Sequence, residues 1–392
     1  MNHVLYMAWR YLRHHWVKTT VLVSSIALIV FIPAGLQVIV GQASEALTER
    51  AAATPLLVGA KGSALDVTLS AIYFTRPSVD PLPYQELARV NRSGLADGIP
   101  LHLRYMAGGF PIVGTTTDYF TFRGLSCAQG RQMALLGECV AGAGVARSLG
   151  LAPDSSLISS PSSAFDVAGT TPLKMRVVGV LEPTGTADDE GIFVDVKTAW
   201  VIAGIAHGHI DMTSPQAESG VLSREQGNVV ANASVLPYNE ITPENIDSFH
   251  FHGDPSDFPL DAILVLPRDR RSGILLRGRY QERTEPVQML VPLDVLNELM
   301  NTVLSVRDFV IMGSMAIGLA TLATSVLVFV LSIRLRRREI ETIRKIGGTE
   351  GRIRAILATE ILLVLTLSAV VTGALVYVLA RTGVTLALAL AG

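Results

Sequence analysis

Thiols are almost missing from this chain: Cys127 and Cys139 are its only cysteines in 392 residues. That scarcity favours nitrogen and oxygen ligands for any metal site here. No GxxxxGK(S/T) stretch occurs, and the glycine turn Gly59-Ala60-Lys61-Gly62-Ser63 lacks that spacing. The chain therefore does not itself hydrolyse ATP. GxSxG, HExxH and a Cys–His arrangement with a catalytic signature are missing too, which leaves an enzyme no residue to rest on. Charge is sparse, at 17% of residues against 49% hydrophobic, and the mean hydropathy of +0.41 is too apolar for an ordinary soluble protein of this size. Charge vanishes altogether over residues 21–40, 309–333 and 361–380. Each run is long enough to cross about 30 Å of hydrocarbon as a helix.

The charges that remain are segregated, which the formal net charge of −2 conceals. Residues 1–18 hold Arg10, Arg13 and Lys18 and no acid. The stretch 334–354, RLRRREIETIRKIGGTEGRIR, holds seven Arg and Lys345 against Glu339, Glu341 and Glu350. Residues 41–305 hold 29 acidic and 19 basic residues, a net of −10. The positive-inside rule then puts the N-terminus and the 334–354 loop in the cytoplasm and the large middle segment outside. The basic charge lies beside the apolar runs, and nothing in its pattern points to nucleic acid.

In chain order, residues 1–18 read as a cytoplasmic interfacial helix with Trp9, Tyr11 and Trp16 at headgroup depth. Residues 19–41 form the first span. A cleaved signal peptide competes for this run, but its apolar core exceeds the usual 7–15 residues. Residues 42–305 form an extracytoplasmic α+β domain of short alternating strands, among them LHLRYMA (101–107), MRVVGVL (175–181), GIFVDV (191–196) and DAILVLP (261–267). Helices are expected over LDVTLSAIYF and GAGVARSLG. The Ser-rich stretch 155–163 reads as a loop, and Asp188-Asp189-Glu190 as a solvated turn rather than a cation site. Residues 42–53 continue the first span outward, and 293–333 reads as one helix of roughly 60 Å. Together the two extensions would make a stalk. The second span is 306–333, the cytoplasmic loop 334–356 and the third span 357–380. Residues 381–392 are an apolar tail, too short to span.

The loop carries its own short helix, with Ile340 and Ile343 on one face, Glu341 paired with Lys345 at i,i+4, and Gly347 and Gly348 ending it. A short amphipathic helix under a membrane docks something cytosolic. The residues REIETIRKIGGTEGRI resemble the coupling-helix loop of MacB/FtsX-type ABC transporter permeases. VVGVLEPTGTADDEGIFVDVKTAW resembles the extracytoplasmic domain of the MacB type, and GAKGSALDVTLSAIYF and FHFHGD resemble HrtB-type permeases, associated with haem efflux. The resemblance implies α-helical spans plus a MacB-type periplasmic core domain. It also implies a separate ATPase subunit that binds the ATP, a second permease copy and, as a further partner, a periplasmic adaptor. Arg338, Glu339, Glu341, Ile343, Arg344, Lys345, Gly347 and Gly348 would then couple to the ATPase. Family members have a fourth helix, which TGVTLALALAG is too short to supply.

Four of eight histidines fall in two pairs, His207/His209 and His250/His252, each followed two residues on by an acid, Asp211 and Asp254. On an extended segment each triplet shares one face. Imidazole and carboxylate suit Zn and similar ions, and haem iron takes imidazole as well. The alternative is ordinary polar surface. Cys127 and Cys139 read as strand, turn, strand, and either form a disulfide across a hairpin or stay as two buried thiols.

The sequence thus supports a multi-pass permease subunit of a bacterial inner membrane that exports or extracts a hydrophobic or amphipathic cargo: haem, lipoprotein, peptide or lipid. Its rivals are an FtsX-like regulator without transport and a membrane-anchored metal-binding protein. The orientation is directly testable. In intact spheroplasts a membrane-impermeant thiol reagent should reach cysteines placed in 155–163 and miss those placed in 349–352. The opposite pattern overturns the charge argument.

Overall fold

A computed structural model describes residues 2–161, 172–207, 221–225, 228–231, 239–243, 245–281, 286–335, 337–345 and 349–391. In chain order the described helices are α1 (Asn2–His14), α2 (Trp16–Ala52), α3 (Ala64–Tyr73), α4 (Gln85–Arg92), α5 (Asp118–Arg123) and α6 (Ala143–Leu149). They continue with α7 (Val196–Ile202), α8 (Arg270–Arg279), α9 (Pro292–Leu335), α10 (Arg337–Lys345) and α11 (Glu350–Ala391). The chain divides into two units, Met1–Thr48 with Glu298–Gly392, and Glu49–Asn297.

Among the described residues three helices are long and apolar enough to cross a membrane, Trp16–Ala52, Asp308–Leu335 and Glu350–Thr382, and all but the last turn of the first of them belongs to the first unit. Hydrocarbon offers backbone groups no partner, so a spanning segment must satisfy them internally as helix. Pro33 lies inside α2 without ending it. Contacts fix the helix directions. Ser368 Oγ donates to Val23 O at 3.4 Å and Thr372 Oγ1 to Ala27 O at 3.2 Å. Each step is four residues on both helices, so α2 and α11 run parallel. Gly318 of α9 approaches Ile29, while Phe329, further along α9, lies under Lys18. The numbers rise on one helix and fall on the other, so α9 is antiparallel to α2. Leu22, Val23 and Val364 are the buried centre of this packing.

The third apolar run, read from sequence as 357–380 with an apolar tail after it, lies in α11, whose helix continues through the tail to Ala391. Arg381 and Gly383 do not break it, since one helical glycine costs only about 1 kcal/mol. The long helix expected over 293–333 is α9, 44 residues and about 66 Å.

The second unit is built on an eleven-stranded mixed sheet. From one edge its strands run Asn239–Glu240, Leu173–Leu181, Glu138–Ala141, Ile192–Asp195, Phe110–Thr115 and Ala96–Ala107. They continue with Ala262–Pro267, Leu56–Ala60 and Val287–Leu290. Two apolar clusters cover it, one around Ile112, Met175, Val177 and Ile192, the other around Val58, Val90, Ile263 and Trp200. Expected strands 101–107, 175–181, 191–196 and 261–267 all fall in it, trimmed or extended by a few residues.

The Ser-rich segment read as a loop is instead a strand, Ser156–Pro161, paired with both Ala96–Ala107 and Leu173–Leu181. Its burial alternates, with Leu157 and Ser159 inside and Ser156, Ile158 and Ser160 outside. Ser159 can occupy an inside place because its Oγ accepts the Leu173 amide at 2.8 Å. A satisfied hydroxyl costs little to bury.

Candidate functional site

Three groupings bear on function: the loop helix α10, a charged cluster buried in the second unit, and the histidine strands.

Along α10, Arg338, Glu341, Arg344 and Lys345 are all exposed. Glu341 pairs with Arg337 at 3.4 Å rather than with Lys345, four residues the other way. Both partners lie one turn off, so spacing alone does not choose between them. Arg344 Nη2 donates to Glu350 Oε1 at 2.6 Å and so ties the end of α10 to the first turn of α11. Glu339 and Ile343 lie within α10, while Gly347 and Gly348 lie outside the described residues.

The buried cluster escaped the sequence reading. Arg50, in the last turn of α2, is 8% exposed and Asp188 2%. Arg50 Nη1 and Nη2 donate to the two Asp188 oxygens at 2.6 and 2.8 Å. Its other donors reach Ile72 O (2.7 Å), Tyr119 Oη (2.8 Å) and Thr186 Oγ1 (3.2 Å). All five guanidinium N–H groups are thereby used. Tyr119 Oη in turn donates to Asp188 Oδ1 at 2.7 Å. Burial alone would raise the Asp188 carboxyl, but Arg50 outweighs it and holds Asp188 below the ordinary carboxylate range. Burial pushes the Tyr119 phenol up, and the Asp188 charge adds to that.

The expected solvated turn Asp188-Asp189-Glu190 holds for the exposed Glu190 but not for Asp188. Asp188 is an interior anion, and Asp189 accepts the Thr184 and Gly185 amides at 2.8 Å each, closing the turn behind it. A Cβ at Gly142 would overlap the Asp188 and Asp189 carbonyls, so the chain packs closely there. The faint signal was Arg50 itself, a single cation followed by Ala51, Ala52 and Ala53 at a helix end.

The histidine pairs approach one another by register. Strands Ala206–His207 and His250–Phe251 are antiparallel, with His207 opposite His250. The rings of His250 and His252 have centroids 4.6 Å apart. His250 Nδ1 lies 3.2 Å from Ser248 O, and since a carbonyl only accepts, Nδ1 is the donor in that contact. His209 and Asp211 lie outside the described residues. Asp254 caps the turn Pro255–Asp257, accepting from Ser256 N at 2.9 Å and Ser256 Oγ at 2.7 Å, which holds its carboxyl low. Among the described residues no group of three or more His, Cys, Asp and Glu side chains gathers as a metal site.

A disulfide across a hairpin is excluded. Both thiols are free, Cys139 buried and Cys127 partly so. Gly179 and Val180 pair with Cys127–Gly130 on one edge and with Glu138–Ala141 on the other, so Leu173–Leu181 runs between the two cysteines. Two strand spacings are about 10 Å, beyond the roughly 7 Å that a disulfide bridges. Burial pushes the Cys139 thiol up to about 12.

His102 is also interior, at 2% exposure, and its Nδ1 lies 2.9 Å from Asp261 Oδ2. Asp261 also accepts from Leu103 N and Arg104 Nε.

The cluster yields a stability prediction. Asp188→Ala strands a buried guanidinium and should cost about 3–5 kcal/mol. Denaturant unfolding read by Trp200 emission, with Trp9 and Trp16 replaced by Phe, measures it. The Asp188 pKa is depressed, so its contribution is complete above the ordinary carboxylate range and is lost as pH falls through the lowered value. Between about pH 5 and 8 the difference between natural and variant chains should stay flat. A cost under about 1 kcal/mol, the range of exposed pairs, contradicts the assignment.

No family model and no curated protein matches this chain. Among solved structures it is similar to the periplasmic region of MacB from Actinobacillus actinomycetemcomitans. The two share 10% identity over 65% of this chain and 97% of that one, with a TM-score of 0.35. It is likewise similar to the extracellular domain of the ABC-type transporter YknZ from Gram-positive bacteria. There the identity is 10% over 60% of this chain and 99% of that one, with a TM-score of 0.32.

Proposed function

We propose that the chain is the permease subunit of an ABC transporter, driven by a separate ATPase that docks on α10. The observation that carries this reading is α10 itself. It is a nine-residue helix between two membrane-length helices, with Arg338, Glu341, Arg344 and Lys345 turned out to solvent. Such a row of charges has no use within the lipid, and it suits a cytosolic partner. The Arg344–Glu350 bond gives a push on α10 a route into α11. The net negative segment 41–305 would face outward, a second copy would complete the transporter, and the cargo would be hydrophobic or amphipathic. Replacing Glu341 and Arg344 with Ala tests this. Both are more than half exposed, and pairs of that kind are worth about 0–1 kcal/mol, so the chain should still fold and insert. ATPase co-purification should fall about tenfold, and transport with it. Full partner binding and transport in the double variant would sink the assignment.

A second reading concerns the second unit and rests on the register of His207 against His250. We propose that these residues with His252 take up a divalent cation such as Zn, with His209 and Asp211 as further donors. Directly opposed residues on an antiparallel pair have Cβ atoms about 5 Å apart, within reach of one ion. The Nδ1–H of His250 against Ser248 O is the kind of second contact that orients a metal-binding imidazole. The full chain should bind Zn at one per chain, and more weakly in acid, because ligation needs neutral imidazole. His207→Ala with His250→Ala should abolish binding, and His3→Ala should not. His102 is no control, because it is buried against Asp261. Zn binding that survives the double variant removes the site. A Soret band on adding haem, lost in the same variant, would reassign it to haem iron.

A further inference from the structure

A cavity of about 300 Å³ opens in the membrane unit between α1, the start of α2, and α11. Leu12, Leu363, Val364 and Leu367 give it apolar walls, and Trp9 and Trp16 also line it. Both tryptophans are more than half exposed. Two of its hydroxyls are committed to backbone carbonyls: Thr19 Oγ1 of α2 donates across to Leu12 O of α1 at 3.0 Å, and Thr366 Oγ1 donates to Leu362 O of its own helix at 2.8 Å. The single charged side chain lining the cavity is Arg13, which is exposed and has no ion pair among the described residues. No acid exists in residues 1–18 to neutralise it.

An apolar trough with one unpaired guanidinium matches an amphiphile with an anionic head. The trough receives methylene groups by packing alone, since lipid tails are already in apolar surroundings, so the preference for one lipid over another falls to the headgroup. A guanidinium takes a phosphate through two parallel N–H donors. Tryptophan rings favour the depth at which a phospholipid changes from head to chain. The charge partition puts this end of the helices at the cytoplasmic leaflet, whose surface is anionic.

We infer that one anionic phospholipid of the cytoplasmic leaflet seats here, its phosphate on Arg13 and an acyl chain between α1 and α11. The inference rests on the orientation in the proposed function and not on the ATPase. Charge complementarity favours lipid over a second copy of this chain, whose matching α1 surface is equally basic.

The test uses the full chain in phosphatidylcholine vesicles containing a small fraction of lipid with brominated acyl chains. Bromine quenches Trp9 and Trp16 on contact, while Trp200, 4% exposed in the other unit, supplies a constant background. Brominated phosphatidylglycerol should quench at about fivefold lower mole fraction than brominated phosphatidylcholine, the effect of one basic residue at such a surface. Arg13→Ala should erase that difference, and Arg13→Lys should keep most of it. Equal quenching by the two lipids in the natural chain overturns the inference, and this holds even if Arg13→Ala fails to insert. A preference that persists in Arg13→Ala overturns it as well. Weak quenching by both lipids, with Thr366→Cys cross-linking between copies, would assign the groove to a second copy instead. ATPase co-purification in the same preparations keeps the two proposals apart, since either result can fail while the other stands.

Discussion

Arg50 sits in the last turn of a helix that begins 34 residues earlier as an apolar run, yet its guanidinium ends inside the sheet unit with every N–H group bonded. Desolvating an ion costs several kcal/mol, and only near-complete hydrogen bonding offsets that cost. The partners come from three places in the chain: Ile72, Tyr119, and the turn that carries Thr186 and Asp188. Each must be in position before the charge can be buried, so the cluster fixes the end of α2, the close of α3, α5 and the 187–190 turn against one another. A rotation or slip of the last turn of α2 would take five donors off their acceptors together. The geometry therefore has one setting. Close backbone packing at Gly142 holds the Asp188 side of the cluster just as tightly.

The membrane unit is held differently. Its contacts are hydroxyl bonds such as Ser368 to Val23 and Thr372 to Ala27, a glycine approach at Gly318, and a small apolar centre. Lipid tails are as apolar as leucine, so helices in lipid gain little by meeting and adhere through small residues and single hydrogen bonds. Such bonds are worth about 1 kcal/mol or less each. Phe309, Leu319, Leu322 and Leu335 remain exposed, as lipid-facing side chains must. The membrane unit is thus held by many weak contacts, and the sheet unit carries at its heart a saturated buried ion pair.

Much of this was legible in the sequence because it depends on sums and periods. Charge partition is a count, and span length is a run. Strands such as MRVVGVL and DAILVLP declare themselves by composition and turn boundaries. What escaped depends on partners distant in sequence. Asp188-Asp189-Glu190 has the composition of a wet turn, and nothing within ten residues announces Arg50. Ser159 looks like loop material until the Leu173 amide arrives to satisfy its hydroxyl. Cys127 and Cys139 look like hairpin partners until Leu173–Leu181, encoded later, passes between them. The His-x-His spacing displayed a shared face, but the register that sets His207 against His250 is a tertiary fact. Pattern recovers what each segment prefers, while pairing decides which of those preferences are used.

The contacts also differ in strength from one unit to the other. α10 is bonded forward, through Arg344 and Glu350, to α11. α11 lies parallel to α2 and is joined to it by hydroxyl bonds four residues apart, a spacing that repeats along both helices and keeps them in step. α2 is the helix whose last turn carries Arg50 into the saturated cluster. The exposed Arg344–Glu350 pair is worth about 1 kcal/mol at most, so its loss leaves the membrane unit's helices standing. The buried Arg50–Asp188 pair is of another kind: removing either partner leaves the other charge desolvated, at a cost of about 3–5 kcal/mol. A substitution that tests docking on α10 therefore belongs among the exposed charges, where stability is not at stake, and one that tests the fold of the sheet unit belongs at Asp188.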